Sequence, residues 1–262
     1  MGEILRPADE FCVFHKSEQI FAQHDRGTLM FIVKSGIVEM RLSNTEIEHI
    51  DPGGFFGEMA LLDSTPRMMS AVALSDCTLK IVGRECFQYM VSQIPNFAIR
   101  VLRCMAQRLR KLDHKSFIVH IHETQHAHEM TSGYRGIELY TNVKNMKSVQ
   151  PDEIIFRQGE PGEHMYCVKS GKVQLTVDDA IVETLGPGGI FGEMALLEDE
   201  PRSATALALT TCELIKVDKE RFEYLMGLTP FFVIQIMRVM THRLREMASE
   251  FERANEPGDP VA

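Results

Sequence analysis

Two short stretches of the chain combine residue types able to hold an anion and a neutral polar group side by side. Phe56-Gly57-Glu58-Met59-Ala60-Leu61-Leu62 is followed, nine residues after its glutamate, by Arg67; Phe191-Gly192-Glu193-Met194-Ala195-Leu196-Leu197 is followed at the same distance by Arg202. Gly57 and Gly192 permit a backbone turn that residues with a side chain resist, and the apolar run after each reads as a single helical turn. Amide N–H groups at such a helix start converge on one point and favour an anion. Arg67 and Arg202, each behind a proline that fixes the approaching backbone, offer a planar, permanently charged fork suited to a phosphate. Glu58 and Glu193 would repel that phosphate. Their presence in both stretches suits a neutral part of the same ligand, such as a sugar hydroxyl donating to the carboxylate. Together these groups describe a nucleotide with an unblocked 2′-OH. The same spacing also fits a glycine turn that caps a helix with an internal Glu to Arg ion pair, and spacing alone leaves both open.

The elements that must position these residues are written twice. Pro52–Leu62 recurs as Pro187–Leu197 with ten of eleven positions identical at a spacing of 135. The same spacing relates Gly27 to Gly162, Lys34-Ser35-Gly36 to Lys169-Ser170-Gly171, Pro66-Arg67 to Pro201-Arg202, Cys77 to Cys212, Pro95 to Pro230 and Arg108-Leu109 to Arg243-Leu244. A copy of this length is a domain rather than a solenoid repeat. Residues 17–82 and 152–217 consist of short runs of Val, Ile, Leu and Phe broken by Gly, Asp, Asn and Pro, the pattern of a small antiparallel barrel or jelly roll. Phe31–Met40 and Tyr166–Leu175 each read as a hairpin turning at Lys-Ser-Gly. After Pro95, residues Ala98, Val101, Leu102, Met105, Leu109 and Leu112 fall on one helical face, as do Val233, Ile236, Val239, Met240, Leu244 and Met247 after Pro230. A long amphipathic helix is therefore expected to close each barrel, with Arg100, Arg103, Arg108, Arg110, Lys111, Arg238, Arg243 and Arg245 on a solvated face. The fold class is α+β: two tandem β-roll or jelly-roll barrels flanked by helices. Residues 1–118 and 147–250 form the domains, 119–146 a helical histidine-rich linker, and 251–262 a disordered tail.

Composition narrows the function. The 262 residues carry 28 Lys+Arg against 37 Asp+Glu, a formal charge of −9, which argues against a sequence-independent grip on nucleic acid. No apolar run reaches the roughly 18–20 residues needed to span a bilayer, and the charged Met1–Glu10 lacks the apolar stretch of a signal peptide. The six cysteines are dispersed without a Cys-x-x-Cys pair, as expected of free thiols in a reducing cytoplasm. Five of the ten histidines, His114, His120, His122, His126 and His128, cluster between the copies. On a helix His122 and His126 would be neighbours able to share a metal or sense pH, but a solvated linker helix is the simpler reading and no metal is assigned.

Phe191–Thr205, with its Phe-Gly-Glu-Met-Ala-Leu-Leu and Pro-Arg-Ser-Ala-Thr, resembles the phosphate-binding cassette of the cyclic nucleotide-binding domains. These occur in the regulatory subunits of protein kinase A, in cyclic-nucleotide-gated channels and in the bacterial catabolite activator protein. The likeness covers about residues 12–115 and 147–250. It implies a β-roll flanked by helices, with Arg202 and Arg67 on the exocyclic phosphate oxygens and Glu193 and Glu58 on the ribose 2′-OH. Backbone amides of Gly192, Ala195 and Ser203, and of Gly57 and Ala60, are implied to complete the phosphate site. The copies diverge after the arginine, where Ser203-Ala204-Thr205 faces Met68-Met69-Ser70. Two long methionines should crowd the first pocket, so the second is expected to bind more tightly. The catabolite activator places hydroxyl residues beside the base, whereas here Leu112-Asp113 and Met247-Ala248 stand at those positions. Leu112 and Met247 are therefore the expected base caps.

The resemblance implies a non-enzymatic cytoplasmic receptor for cAMP or cGMP, with no cofactor beyond that ligand. Only a short segment follows the second copy, so no output domain is expected and the signal must pass by helix movement to a protein partner. A homodimer is compatible with this reading; nucleic acid is not an expected partner. The competing reading is an interaction scaffold that kept the fold and lost the ligand, against which the intact arginine and glutamate of both copies speak.

Overall fold

The computed structural model describes residues 10–115 and 145–255. The chain divides into two compact units, each built on one copy of the repeat. The described part of the first consists of residues 10–94, 111–115 and 241–255, and that of the second of residues 95–110 and 145–240.

The first unit carries β1 (Phe11–Phe14), β2 (Gln19–Phe21), β3 (Leu29–Ser35), β4 (Val38–Leu42), β5 (Thr45–Ile50), β6 (Phe55–Phe56), β7 (Ser70–Ala73) and β8 (Cys77–Gly83). They form two four-stranded antiparallel sheets, ordered β1-β8-β3-β6 and β2-β7-β4-β5. The expected hairpin at Lys34-Ser35-Gly36 is not one: β3 and β4 lie in different sheets, and the turn carries the chain from one sheet to the other. Gly36 has φ +85°, and a Cβ there would run into the Asp76 carbonyl and stand 2.6 Å from Cys77 Sγ, so this corner admits only glycine. Sheet-switching of this kind lets two small sheets bury their inner faces against each other. Val33, Val38, Leu42, Phe56, Ala71 and Leu79 are fully buried there.

The second unit repeats the plan with β9 (Met146–Val149), β10 (Ile154–Phe156), β11 (His164–Ser170), β12 (Val173–Val177), β13 (Ala180–Leu185), β14 (Ile190–Phe191), β15 (Thr205–Ala208) and β16 (Cys212–Asp218). Its sheets run β14-β11-β16-β9 and β10-β15-β12-β13. The true hairpin is β12 to β13, turning at Asp178-Asp179. Both residues have positive φ, 48° and 68°, as a tight turn that matches strand twist requires. Phe156, Tyr166, Val168, Leu175, Phe191 and Leu214 belong to the core between these sheets.

Short helices α1 (Met59–Asp63) and, in the second copy, α4 (Glu193–Glu198) follow the cassette glycines. Helix α2 (Arg84–Gln93) and its counterpart α5 (Lys219–Leu228) follow the last strand of each roll, α5 capped by Asp218, which accepts from the Arg221 amide at 2.8 Å. The long helices are α3 (Pro95–Lys115) and α6 (Pro230–Asn255). Neither simply closes its own barrel. Residues 95–110 of α3 belong to the second unit, and residues 241–255 of α6 belong to the first. Helix α6 also runs past the start expected for a disordered tail, with Phe251 buried in it. The histidines from His120 to His128, and nearly all of the linker that holds them, lie outside the described residues. Among the described residues no single helix is long and apolar enough to cross a membrane.

Candidate functional site

In the first unit Arg67 is buried, 6% exposed, with its fork held by backbone carbonyls. Nη1 donates to the Gly57 carbonyl at 2.9 Å and Nη2 to the Leu29 carbonyl at 2.7 Å. The guanidinium carbon lies 4.2 Å from the centroid of the Phe21 ring, which packs with Phe31 and Phe56. Its backbone is pinned as well: the Arg67 amide donates to Asp25 O, and the His24 amide donates to Arg67 O, both at 2.8 Å. Burial pulls the guanidinium pKa below its ordinary value, against the opposing influence of Glu58 and Asp25.

The second unit repeats this arrangement. Arg202 is 5% exposed, donates from Nη1 to the Gly192 carbonyl at 2.9 Å, and lies 4.1 Å over the Phe156 ring. Its amide donates to Glu160 O at 2.9 Å, and the Gly159 amide donates to Arg202 O at 2.9 Å. Burial again lowers its pKa, opposed by Tyr166, Glu193 and Glu160. In both arginines Nε is buried without a hydrogen-bond partner. A buried donor left unmade costs about 1–3 kcal/mol, so each site presents a cationic N–H suited to an anionic acceptor.

The turns before the cassette helices require glycine. Gly57 and Gly192 have φ +83° and +78°, and a Cβ on either would stand 2.7 or 2.6 Å from Nη1 of the arginine. Glu58 and Glu193 are almost wholly buried, at 0% and 1% exposure, beside that arginine. They differ in place: Glu58 is the N-cap of α1, whereas Gly192 caps α4 and Glu193 is its first residue. Ala60 and Ala195 are buried, and Ser203 is half-buried with its hydroxyl 3.6 Å from Met194 Sδ. Each unit thus brings glycine, glutamate, alanine and arginine of its cassette together.

Sequence reasoning missed the groups that hold the arginines. Phe21 and Phe156 supply the ring beneath each guanidinium. Gly27 and Gly162 supply the space: a Cβ at Gly27 would run into the Arg67 guanidinium, and one at Gly162 would stand 2.5 Å from Ala195 Cβ and 2.7 Å from Arg202 Nε. The signal was present, because both pairs recur at the repeat spacing of 135. The crowding expected from two methionines also needs correction. Met69, in the bend just before β7, is 3% exposed and its side chain is buried, as its counterpart Ala204 packs on the core of the second unit. Of the two methionines only Met68, half-buried, keeps part of its surface open.

The helical arginines are not simply a solvated face. Arg108 is 4% exposed. Arg103 donates to the Leu197 carbonyl at 2.7 Å, and Arg110 reaches Glu198 and the Pro201 carbonyl. Arg245 binds Asp63 and the Pro66 carbonyl. Met247 was expected to cap the second site, yet it belongs to the first unit, two residues beyond the arginine bound to Asp63. Leu112 also belongs to the first unit and is fully buried. All six cysteines are free thiols.

The family model of the cyclic nucleotide-binding domain matches residues 11–93 and 146–227. A cAMP-dependent protein kinase regulatory subunit of Dictyostelium discoideum is 28% identical over 233 residues, covering 82% of this chain and 64% of the relative. A cGMP-dependent protein kinase of Eimeria tenella is 30% identical over 226 residues, covering 86% of this chain and 21% of the relative. Among solved structures, the Thermus thermophilus catabolite activator protein is 29% identical, with 50% of this chain and 61% of that one covered and a TM-score of 0.41. The chain spans less than two thirds of the length of these two curated relatives. With both of its β-rolls matched, the chain belongs to the cyclic nucleotide-binding domain family.

Proposed function

We propose that this protein is a non-catalytic regulatory receptor for a cyclic mononucleotide, cAMP or cGMP, with one site in each unit. The observation that carries the reading is the duplicated arginine, buried on an aromatic ring with Nε lacking an acceptor and a buried glutamate beside it. A cyclic phosphate accepts from Nε and offsets the buried charge, while a ribose 2′-OH donates to Glu58 or Glu193. Backbone amides of Gly192, Ala195 and Ser203, and of Gly57 and Ala60, complete the phosphate contacts in this reading.

The relatives' names, a cAMP-dependent kinase regulatory subunit and a cGMP-dependent kinase, support regulation of a protein kinase as the output; movement of the long helices is the route this reading gives the signal. Six free thiols suit the reducing cytoplasm. Calorimetry with cAMP and cGMP tests the reading. The wild type binds one of them, and Arg202→Ala loses on the order of 2–5 kcal/mol of affinity at the second site, as expected when one partner of a desolvated charge pair is removed. Equal binding by the variant, or no binding of either nucleotide by the wild type, rejects it.

A further inference from the structure

Arg110 and Arg245 stand at equivalent positions, 135 residues apart, and make equivalent bonds. Arg245, on the helix that follows the second β-roll, grips the first cassette. Its Nε donates to Asp63 Oδ2 at 2.5 Å, Nη2 to Asp63 Oδ1 at 3.2 Å, and Nη1 to the Pro66 carbonyl at 3.0 Å. Arg110, on the helix that follows the first β-roll, grips the second. Its Nε donates to Glu198 Oε2 at 2.6 Å and Nη2 to the Pro201 carbonyl at 3.0 Å.

The partners are equivalent too. Asp63 and Glu198 end the cassette helices, and Pro66 and Pro201 immediately precede Arg67 and Arg202. These are not loose surface pairs. The arginine side chains are 22% and 23% exposed, and the carboxylates of Asp63 and Glu198 22% and 6%. A fork bonded to a carboxylate and a carbonyl restrains both ends of the segment between them.

We infer that Arg110 and Arg245 are positioning residues for the anion sites, each holding the loop that presents the phosphate arginine of the opposite repeat. The inference rests on the proposed reading of Arg67 and Arg202 as phosphate groups, although the restraint itself is measurable without any nucleotide. Residues 95–110 of α3 belong to the unit of the second cassette, while the same helix ends among residues of the first unit. Helix α6 is divided in the reciprocal sense. Each cassette is thereby bonded to the helix that follows the other β-roll.

Hydrogen–deuterium exchange on the full chain without nucleotide is the first test. Arg245→Gln removes the bonds to Asp63 and Pro66, speeds exchange in residues 58–67 by about tenfold or more, and leaves residues 193–202 unchanged. Arg110→Gln does the reverse. Asp63→Asn attacks the first pair from the cassette side and reproduces Arg245→Gln. Loosening of each arginine's own repeat, or of both cassettes equally, overturns the inference.

The second test uses nucleotide binding in a chain carrying Arg202→Ala, where the first site is read alone. Adding Arg245→Gln weakens cAMP or cGMP about tenfold, and adding Arg110→Gln changes affinity by less than about twofold. Equal effects of the two substitutions overturn the inference. Absence of nucleotide binding by the wild type rejects the proposed function instead and leaves the exchange experiment to decide the positioning role.

Discussion

Arg202 lies over the ring of Phe156, its guanidinium carbon 4.1 Å from the centroid, and Arg67 stands in the same relation to Phe21 at 4.2 Å. The ring is itself fixed, since Phe156 packs against Tyr166 and Phe191. An arginine on a braced aromatic face keeps its fork in one orientation, which suits repeated binding of a small anion. Phe156→Leu, near in volume, should cost less than about 1.5 kcal/mol of stability. Removing the π face should also weaken nucleotide binding at the second site by about 0.5–2 kcal/mol. Urea denaturation and calorimetry on the same variant separate the two effects, and unchanged affinity refutes the role given to the ring.

Gly162→Ala tests the space beside the arginine. The added methyl would stand 2.5 Å from Ala195 Cβ and 2.7 Å from Arg202 Nε, so the arginine must shift. Overpacking of this kind costs about 1–3 kcal/mol, and affinity at the second site should fall by on the order of tenfold or more. Gly227→Ala is the control: it lies in α5 with nothing within 4 Å of the new methyl, and should stabilise by about 0.5–1 kcal/mol without altering binding.

The two methionines after Arg67 should behave oppositely. Met68→Ser makes the first site resemble the second and should tighten nucleotide binding there. Met69→Ala should leave affinity unchanged but lower stability by about 2–5 kcal/mol, because it empties a buried position. Titrations in an Arg202→Ala background, paired with thermal melts, distinguish these outcomes.

Glu250 makes stability pH-dependent. It is 9% exposed on α6, and burial raises its pKa, reinforced by Glu246 and opposed by Arg253. The folded chain therefore holds this proton more tightly than the unfolded chain. The resulting stabilisation is complete below the unfolded pKa and is lost as pH rises through the folded value. Glu250→Gln should be more stable than wild type at pH about 7, with the difference closing as pH falls through the ordinary glutamate value of about 4.3. Melting curves at the two pH values give the answer, and an advantage that persists in acid would assign the effect to something other than this carboxyl.

Much of the site was legible because its parts are local. Gly57 to Arg67 spans eleven residues, and the turn, the helical run and the arginine are recognisable by type and spacing alone. The strands were legible from short β-branched runs, but their partners were not. Lys34-Ser35-Gly36 looks like a hairpin turn because a tight glycine corner has the same local chemistry whether the next strand pairs or changes sheet. Met69 reads as a pocket residue until the folded chain buries it just ahead of β7. Phe156 and Gly162 are harder still, since their role depends on a guanidinium some forty residues away in sequence.

The amino-acid sequence by itself determined the duplication, the two β-rolls, the cassette residues and the amphipathic character of the long helices, because each is encoded within a few turns or strands. Only the tertiary structure decided which cassette the arginines of each long helix bond. Arg245 and Asp63 are 182 residues apart, and Arg110 and Glu198 are 88 apart. Helical periodicity specifies that a face will be buried, but the choice of partner rests on shape and charge matched between distant segments, and no local pattern records it.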